Sequence, residues 1–286
     1  MKQQYLFAFD IDGTLVGTED TLTKRTENAL RRLHFHGHSI ALITGRSHIS
    51  AEFLEKIEPS AHAVSNGARV FVQRELVAQT ALDVEWVQGL MALLSAKSDV
   101  HYVLSGDRLF TPDPHHPDFA HWKGRDRLRT VAEWDPETDV IFKVQMEHSD
   151  CIQLKSDILA QYPEVQIYGG VAPYEHYLSV SPKGISKAVA LNSIAKHFAI
   201  DPKQTIVFGD SDNDLSMFEV AGWGVQASRN LESFVPIAIY AGEGVANEEK
   251  EKSSAGGDYL LDPIEAHRNR NLAGMINEGF PNCVID

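Results

Sequence analysis

From the start of the chain to Leu82, short apolar runs alternate with segments whose apolar residues recur at helical spacing. Tyr5 to Phe9 is the first run and reads as a buried strand. Thr23 suits a helix N-cap. Ala29, Leu30 and Leu33 share one face of the segment Lys24 to Phe35, and Gly37 is placed to end it. A second strand, Ser39 to Ile43, stops at Thr44-Gly45-Arg46. Ser47 to Ile57 is a helix candidate, and Ala61 to Val64 a short strand running into Ser65-Asn66-Gly67. Val70 to Leu76 reads as a further strand. Strand, helix, strand with short links is by default a right-handed parallel unit.

The pattern changes between about Leu82 and Val180. Val84 to Leu94 is helical, His101 to Leu104 a strand, and the proline-rich Thr111 to Pro117 a loop. Val140 to Met146 reads as a strand, Ser149 to Tyr162 as a helix, and Val165 to Tyr168 as a strand broken by Gly169-Gly170. Tyr177 to Val180 makes one more. Strands outnumber helices here, which predicts a separate α+β domain. The alternating pattern then resumes: a helix over Ile185 to Phe198, a strand over Thr205 to Phe208 and a helix over Leu215 to Val220. A short strand begins at Gly224, and Ile237 to Tyr240 is the last. Glu243 to Asp258 reads as a mobile loop and Leu260 to Met275 as a closing helix. The expected fold class is α/β. Residues 1–82 and 183–286 form a doubly wound, mostly parallel Rossmann-like core sheet, and residues 83–182 an inserted α+β cap domain.

Composition narrows the partners. The 286 residues carry a net charge of −14, which argues against nucleic acid and anionic membrane surfaces. An anionic substrate then needs local positive charge or a metal. Cys151 and Cys283 are too few and too far apart for a disulfide framework, which fits a cytoplasmic protein. No apolar run approaches membrane-spanning length. Nothing in the sequence speaks to oligomeric state.

Candidate chemistry gathers where predicted strands end. Asp10 and Asp12 follow the first strand; alternation would send both side chains the same way, about 7 Å apart along the backbone. Two carboxylates that close invite a hard cation such as Mg2+. An ordinary Asp-Gly turn is the plainer reading. Gly13 supplies a turn without a Cβ, and Thr14 a hydroxyl. Thr44-Gly45-Arg46 ends the second strand and Gly209-Asp210-Ser-Asp-Asn213-Asp214 the later one. In open parallel sheets, ligands bind outside the carboxyl ends of strands, so three polar strand ends converging is a candidate active site. Taken singly, Asp212, Asn213 and Asp214 are also good first-turn residues of a helix, and Lys187 an ordinary helix-surface lysine.

Asp-x-Asp-Gly-Thr-Leu at Asp10, the Thr44-Gly45-Arg46 segment, Lys187 and Gly-Asp-x-x-Asn-Asp at Asp210 together resemble the haloacid dehalogenase superfamily of phosphohydrolases. The large insertion between the second and third motifs is similar to the Cof-like branch. That resemblance implies a phosphatase acting through an aspartyl-phosphate. Asp10 is then the nucleophile and Asp12 the general acid and base. Asp10, the backbone carbonyl of Asp12, Asp210 and Asp214 surround Mg2+, the last directly or through water. Thr44 and Lys187 serve catalysis, and Gly13, Gly45, Arg46 and Asn213 bind phosphate or orient the site. Lys183 rivals Lys187, and Asn66-Gly67 lines the site in the resembled family. Val225 to Leu231 and the charged tail depart from the family pattern without touching these residues.

The implied partner is a small phosphorylated metabolite, sugar phosphates among them. A phosphomutase of hexose phosphates and a catalytically silent metabolite-binding module are the competing readings. His34, His36 and His38 straddle a helix end, where cations meet the helix dipole favourably. His115, His116, His121 and Trp122 are either substrate-selecting residues of the insertion or a solvated loop.

Overall fold

The computed structural model describes residues 4–17, 21–97, 99–117, 119, 125–171, 174–227 and 236–241. The chain divides into two compact units, one from residues 1–77 and 187–286, the other Ala78–Ser186. In chain order the first segment carries β1 (Leu6–Phe9), α1 (Lys24–Phe35), β2 (Ser39–Ile43), α2 (Ala51–Ile57), β3 (Ala61–Val64), β4 (Arg69–Val72) and β5 (Glu75–Gln79). The middle carries α3 (Val84–Ser95), β6 (His101–Gly106), β7 (Leu109–Thr111), β8 (Leu128–Thr130), β9 (Ile141–Glu147), α4 (Cys151–Gln161), β10 (Gln166–Gly169) and β11 (Tyr177–Ser181). Last come α5 (Lys187–His197), β12 (Thr205–Gly209), α6 (Leu215–Val220), β13 (Trp223–Ala227) and β14 (Pro236–Ala241).

One sheet has the strand order β14-β13-β12-β1-β2-β3-β4-β5. β1 pairs in parallel with both β2 and β12, which makes it interior. An interior parallel strand is covered on both faces, which is why Leu6 to Phe9 is apolar throughout. Phe7, Phe9, Ile40, Leu42, Ile206 and Phe208 join Leu30 and Leu33 of α1 in one cluster. Leu6, Ala8, Ala41, Ile43 and Val207 join Leu191 and Ile194 of α5 and Met217 of α6 in another. Adjacent residues of each strand thus serve opposite layers, and each fully buried Phe or Leu contributes roughly 1.5–3 kcal/mol. This is the expected doubly wound α/β core. The order turns about β1, with later strands on one side and earlier ones on the other, and opens a crevice at the strand ends.

The middle unit is α+β. Its sheet has the order β10-β11-β9-β6-β7-β8. Leu90 and Leu94 of α3 and Leu154 and Ile158 of α4 pack with Leu104, Val144, Met146, Leu178 and Val180. Cys151 is a buried free thiol within that cluster. Lys143 is buried on β9, and Ser105 donates a hydrogen bond to Gln145 at 3.1 Å.

Several boundaries differ from expectation for identifiable reasons. The segment Val70 to Leu76 is two strands, because Gln73 and Arg74 adopt left-handed φ of 49° and 70° and reverse the chain. The helix expected from Ser47 starts at Ala51, with the Ser50 hydroxyl capping the Phe53 N–H at 3.2 Å. Three-residue β7 and β8 are too short to show alternation in the sequence. Glu243 to Asp258, Leu260 to Met275, His121 and Trp122 lie outside the described residues.

Candidate active site

The chain leaves β1 in a tight fold-back. The Asp10 N–H still donates to the Phe208 carbonyl at 2.9 Å, holding Asp10 beside β12. The carbonyl of Ile11 then accepts from Thr14, Leu15 and Val16 at 3.3, 2.9 and 3.0 Å, and Gly13 donates to Val16 at 2.9 Å. That bond uses the Gly13 N–H expected at a phosphate. What Gly13 supplies instead is room: its φ is +80°, and a Cβ there would lie 2.3 Å from Asp210 Oδ2. The Thr14 hydroxyl donates to Asp210 Oδ1 at 3.0 Å. The sequence marks Thr14 only as a hydroxyl at the turn; its Asp210 partner lies 196 residues away.

The same turn, rather than strand alternation, sets the direction of Asp12. Its two carboxylate oxygens accept from Arg46 Nε at 2.8 Å and Arg46 Nη2 at 2.5 Å. Such a two-point fork fixes geometry as well as charge. Arg46, expected at phosphate or in solvent, is therefore a partner of Asp12.

Asp10, Asp210 and Asp214 offer carboxylate oxygens that all lie within 4.8 Å of one another. Lys187, with no exposed side-chain surface, places its ammonium 2.7 Å from Asp10 Oδ1 and 2.6 Å from Asp214 Oδ1. The other Asp214 oxygen accepts from the N–H groups of Asp210 and Ser211 at 2.9 and 3.1 Å, and from the Ser211 hydroxyl at 3.3 Å. Asp214 thus shapes the loop after β12 and orients the lysine. Gly209 permits it, since a Cβ there would sit 2.4 Å from the Asp214 carboxyl carbon. Lys183, the rival, pairs with Glu164 at 3.1 Å in the middle unit.

Burial pushes the Asp10 carboxyl well above its ordinary range; Lys187 opposes the rise, and Asp214 and Asp210 add to it. Burial alone would depress the Lys187 ammonium, but Asp10 and Asp214 reverse this and hold it above its usual value. Three carboxylates against one ammonium leave a net negative cluster when all are ionised. The donors are hard oxygens, and the charge imbalance is the kind a divalent cation such as Mg2+ relieves, so the residues fit such an ion.

Thr44 is fully buried at the end of β2. Its hydroxyl oxygen accepts from the Arg46 N–H at 3.1 Å, which leaves its own hydrogen to donate elsewhere. Asn213 was expected to orient Asp210 or phosphate. Its amide instead donates to Asn66 Oδ1 at 3.1 Å, and its own oxygen accepts from Ser211 at 2.8 Å. Gly45 lies against this pair, with its Cβ direction 3.2 Å from Asn66 Oδ1. Asn66 is buried with φ of 58°, and the Asn-Gly dipeptide was the available signal for that backbone. The histidines around the end of α1 diverge: His38 Nδ1 accepts from the Tyr5 N–H at 3.3 Å, while His34, in the last turn, meets the Ile57 carbonyl. In the middle unit, His116 packs on His101 at 3.9 Å between ring centres.

The family pattern of haloacid dehalogenase-like hydrolases matches residues 7–240. The chain belongs to that family, in its Cof-like branch. It is 29% identical over 248 residues to 5-amino-6-(5-phospho-D-ribitylamino)uracil phosphatase YitU of Bacillus subtilis, covering 82% of this chain and 90% of that protein. It is 26% identical to phosphatase YwpJ of Bacillus subtilis, covering 82% and 92%. The fold matches that of the subclass IIB sugar phosphatase BT4131 with a TM-score of 0.66 at 24% identity, over 87% of this chain and 91% of that one. No helix among the described residues is long and apolar enough to cross a membrane.

Proposed function

We propose that this chain is a Mg2+-dependent phosphoric monoester hydrolase of small phosphorylated metabolites, sugar phosphates among them, working in the cytoplasm. One observation carries the reading: Asp10 stands at the crevice end of an interior strand, with Lys187 and two further acids gathered on it. Asp10 attacks phosphorus, the bond from phosphorus to the leaving oxygen breaks, and Asp12 gives that oxygen a proton. Water then attacks the aspartyl-phosphate, Asp12 takes the proton back, and inorganic phosphate leaves with Asp10 restored. Mg2+, when bound, neutralises charge on the phosphoryl oxygens. Asp10, Asp210 and the Asp12 carbonyl would hold it, with Asp214 behind them. Lys187 offsets part of the burial that raises Asp10 and so favours its ionised, nucleophilic form. The Thr44 hydroxyl, with its hydrogen unused by Arg46, donates to a phosphoryl oxygen, and the Gly45 N–H assists. Arg46 fixes the acid-base residue, and Asn213 with Asn66 walls the site. The phosphorylated ribityl compound in the name of the relative YitU supports a small phosphomonoester as substrate.

The test is phosphate release across a panel of metabolite phosphates, hexose phosphates included, with MgCl2 and with EDTA. Metal-dependent release of inorganic phosphate from at least one small phosphomonoester is expected. Isomerised hexose phosphate without inorganic phosphate would instead mark a phosphomutase.

A further inference from the structure

A second concavity lies in the same unit, between α2 and the face of the β3–β4 pair. It has a volume of about 320 Å3, within the range of small-molecule sites. Ile49, Leu54, Val64 and Phe71 give it apolar walls, and Arg69, Arg74, His48 and His62 are also in its lining. Glu55 is the acid among the lining residues. In a chain of net charge −14, two guanidinium groups against the one acid of this lining leave a local positive excess. The groups are also held in place. His62 and Phe71 are cross-strand partners with rings stacked at 4.6 Å and 9°, and the Arg69 guanidinium lies 5.3 Å from the Phe71 ring centre.

We propose that this pocket binds a small organic dianion, its negative groups met by Arg69 and Arg74 and its apolar body by Leu54, Val64 and Phe71. The guanidinium groups of Arg69 and Arg74 supply the charge that draws it. Burial, with the charges of His48 and Arg74 adding to it, pushes His62 down to about 4. His62 is therefore a neutral part of the wall near pH 7, and the anion's charge falls to the two guanidinium groups. The pocket is also joined to the catalytic loops. Ser47 and His48 follow Arg46 directly, and Val64 precedes Ser65 and Asn66. The Ser65 N–H donates to the Arg46 carbonyl at 2.7 Å and the Asn66 N–H to the Thr44 carbonyl at 3.0 Å. An occupant therefore bears on the segments that place Arg46 against Asp12 and Asn66 against Asn213.

The test is calorimetric titration of the full chain with isophthalate, a dicarboxylate with an apolar body and no phosphate to hydrolyse, and separately with sulfate. Saturable binding of isophthalate is expected, at least tenfold tighter than sulfate. Arg74→Gln, at an exposed turn, is expected to weaken isophthalate tenfold or more and Arg69→Gln likewise, while Asp10→Asn leaves it unchanged. Absence of saturation, equal affinity for sulfate, or binding lost in Asp10→Asn but kept in Arg74→Gln would overturn the proposal. Because no turnover is read, failure here is separate from failure of the phosphatase reading.

Discussion

The ammonium of Lys187 lies 2.7 Å from an oxygen of Asp10, and the two side chains are 0% and 6% exposed. A buried pair of this kind adds little net stability when intact, yet removing one partner strands the other. Lys187→Met leaves three acids facing one another, which costs about 3–5 kcal/mol of stability in metal-free protein. Turnover is expected to fall roughly 100-fold or more, since the proposed mechanism loses a preorganised charge beside its nucleophile. Thermal melts with and without MgCl2 check the first effect, with the metal recovering part of the loss. Steady-state kinetics check the second.

Gly13→Ala tests the close approach of the turn to Asp210. The new methyl group would meet Asp210 Oδ2 at 2.3 Å in a left-handed backbone. Displacement of Asp210 and its Thr14 bond is expected to raise the MgCl2 concentration for half-maximal activity about tenfold or more, with about 1–2 kcal/mol of lost stability. A metal titration of activity reads this directly.

Arg46→Lys keeps the charge but not the fork on Asp12. A lysine ammonium cannot engage both carboxylate oxygens in the planar geometry seen here. A fall in kcat of about 10- to 100-fold is expected, larger than the change in KM, because in the proposed mechanism Asp12 acts on the leaving oxygen rather than on substrate affinity.

The pH dependence of stability has a definite sign at His62. Burial lowers it to about 4 from the ordinary 6.5, so the unfolded chain binds the extra proton throughout that interval. The contribution is fully present above pH 6.5 and is lost as pH falls towards 4. Denaturant midpoints at pH 7 and pH 4.5 are expected to differ more in the parent chain than in His62→Gln.

The legible part of this molecule was what depends on short-range pattern. Continuous apolar runs such as Leu6–Phe9 marked interior strands, and polar residues at their carboxyl ends marked the crevice. Lys187 could be preferred over Lys183 only through the family pattern; the structure adds burial against Asp10 for one and a Glu164 partner for the other. What the sequence did not carry was partnership across distance. Asp12 pairs with Arg46, 34 residues away, because the strand ends at Phe9 and a turn redirects the carboxylate. Asn213 reaches Asn66 across 147 residues. The Gln73-Arg74 reversal was hidden because neither residue is the Gly or Asn that usually signals a left-handed turn.

The central claim is that Asp10 is the group that takes the phosphoryl. Phosphate release from an aryl phosphate, measured for the parent chain and for Asp10→Asn at saturating MgCl2, tests it most directly. The amide keeps the size of the side chain and removes the nucleophilic oxygen. The parent is expected to turn over only with the metal, and Asp10→Asn to fall to background while still folding. Asp10→Asn turning over at the parent's rate, or a parent chain with no metal-dependent release at all, would contradict the account.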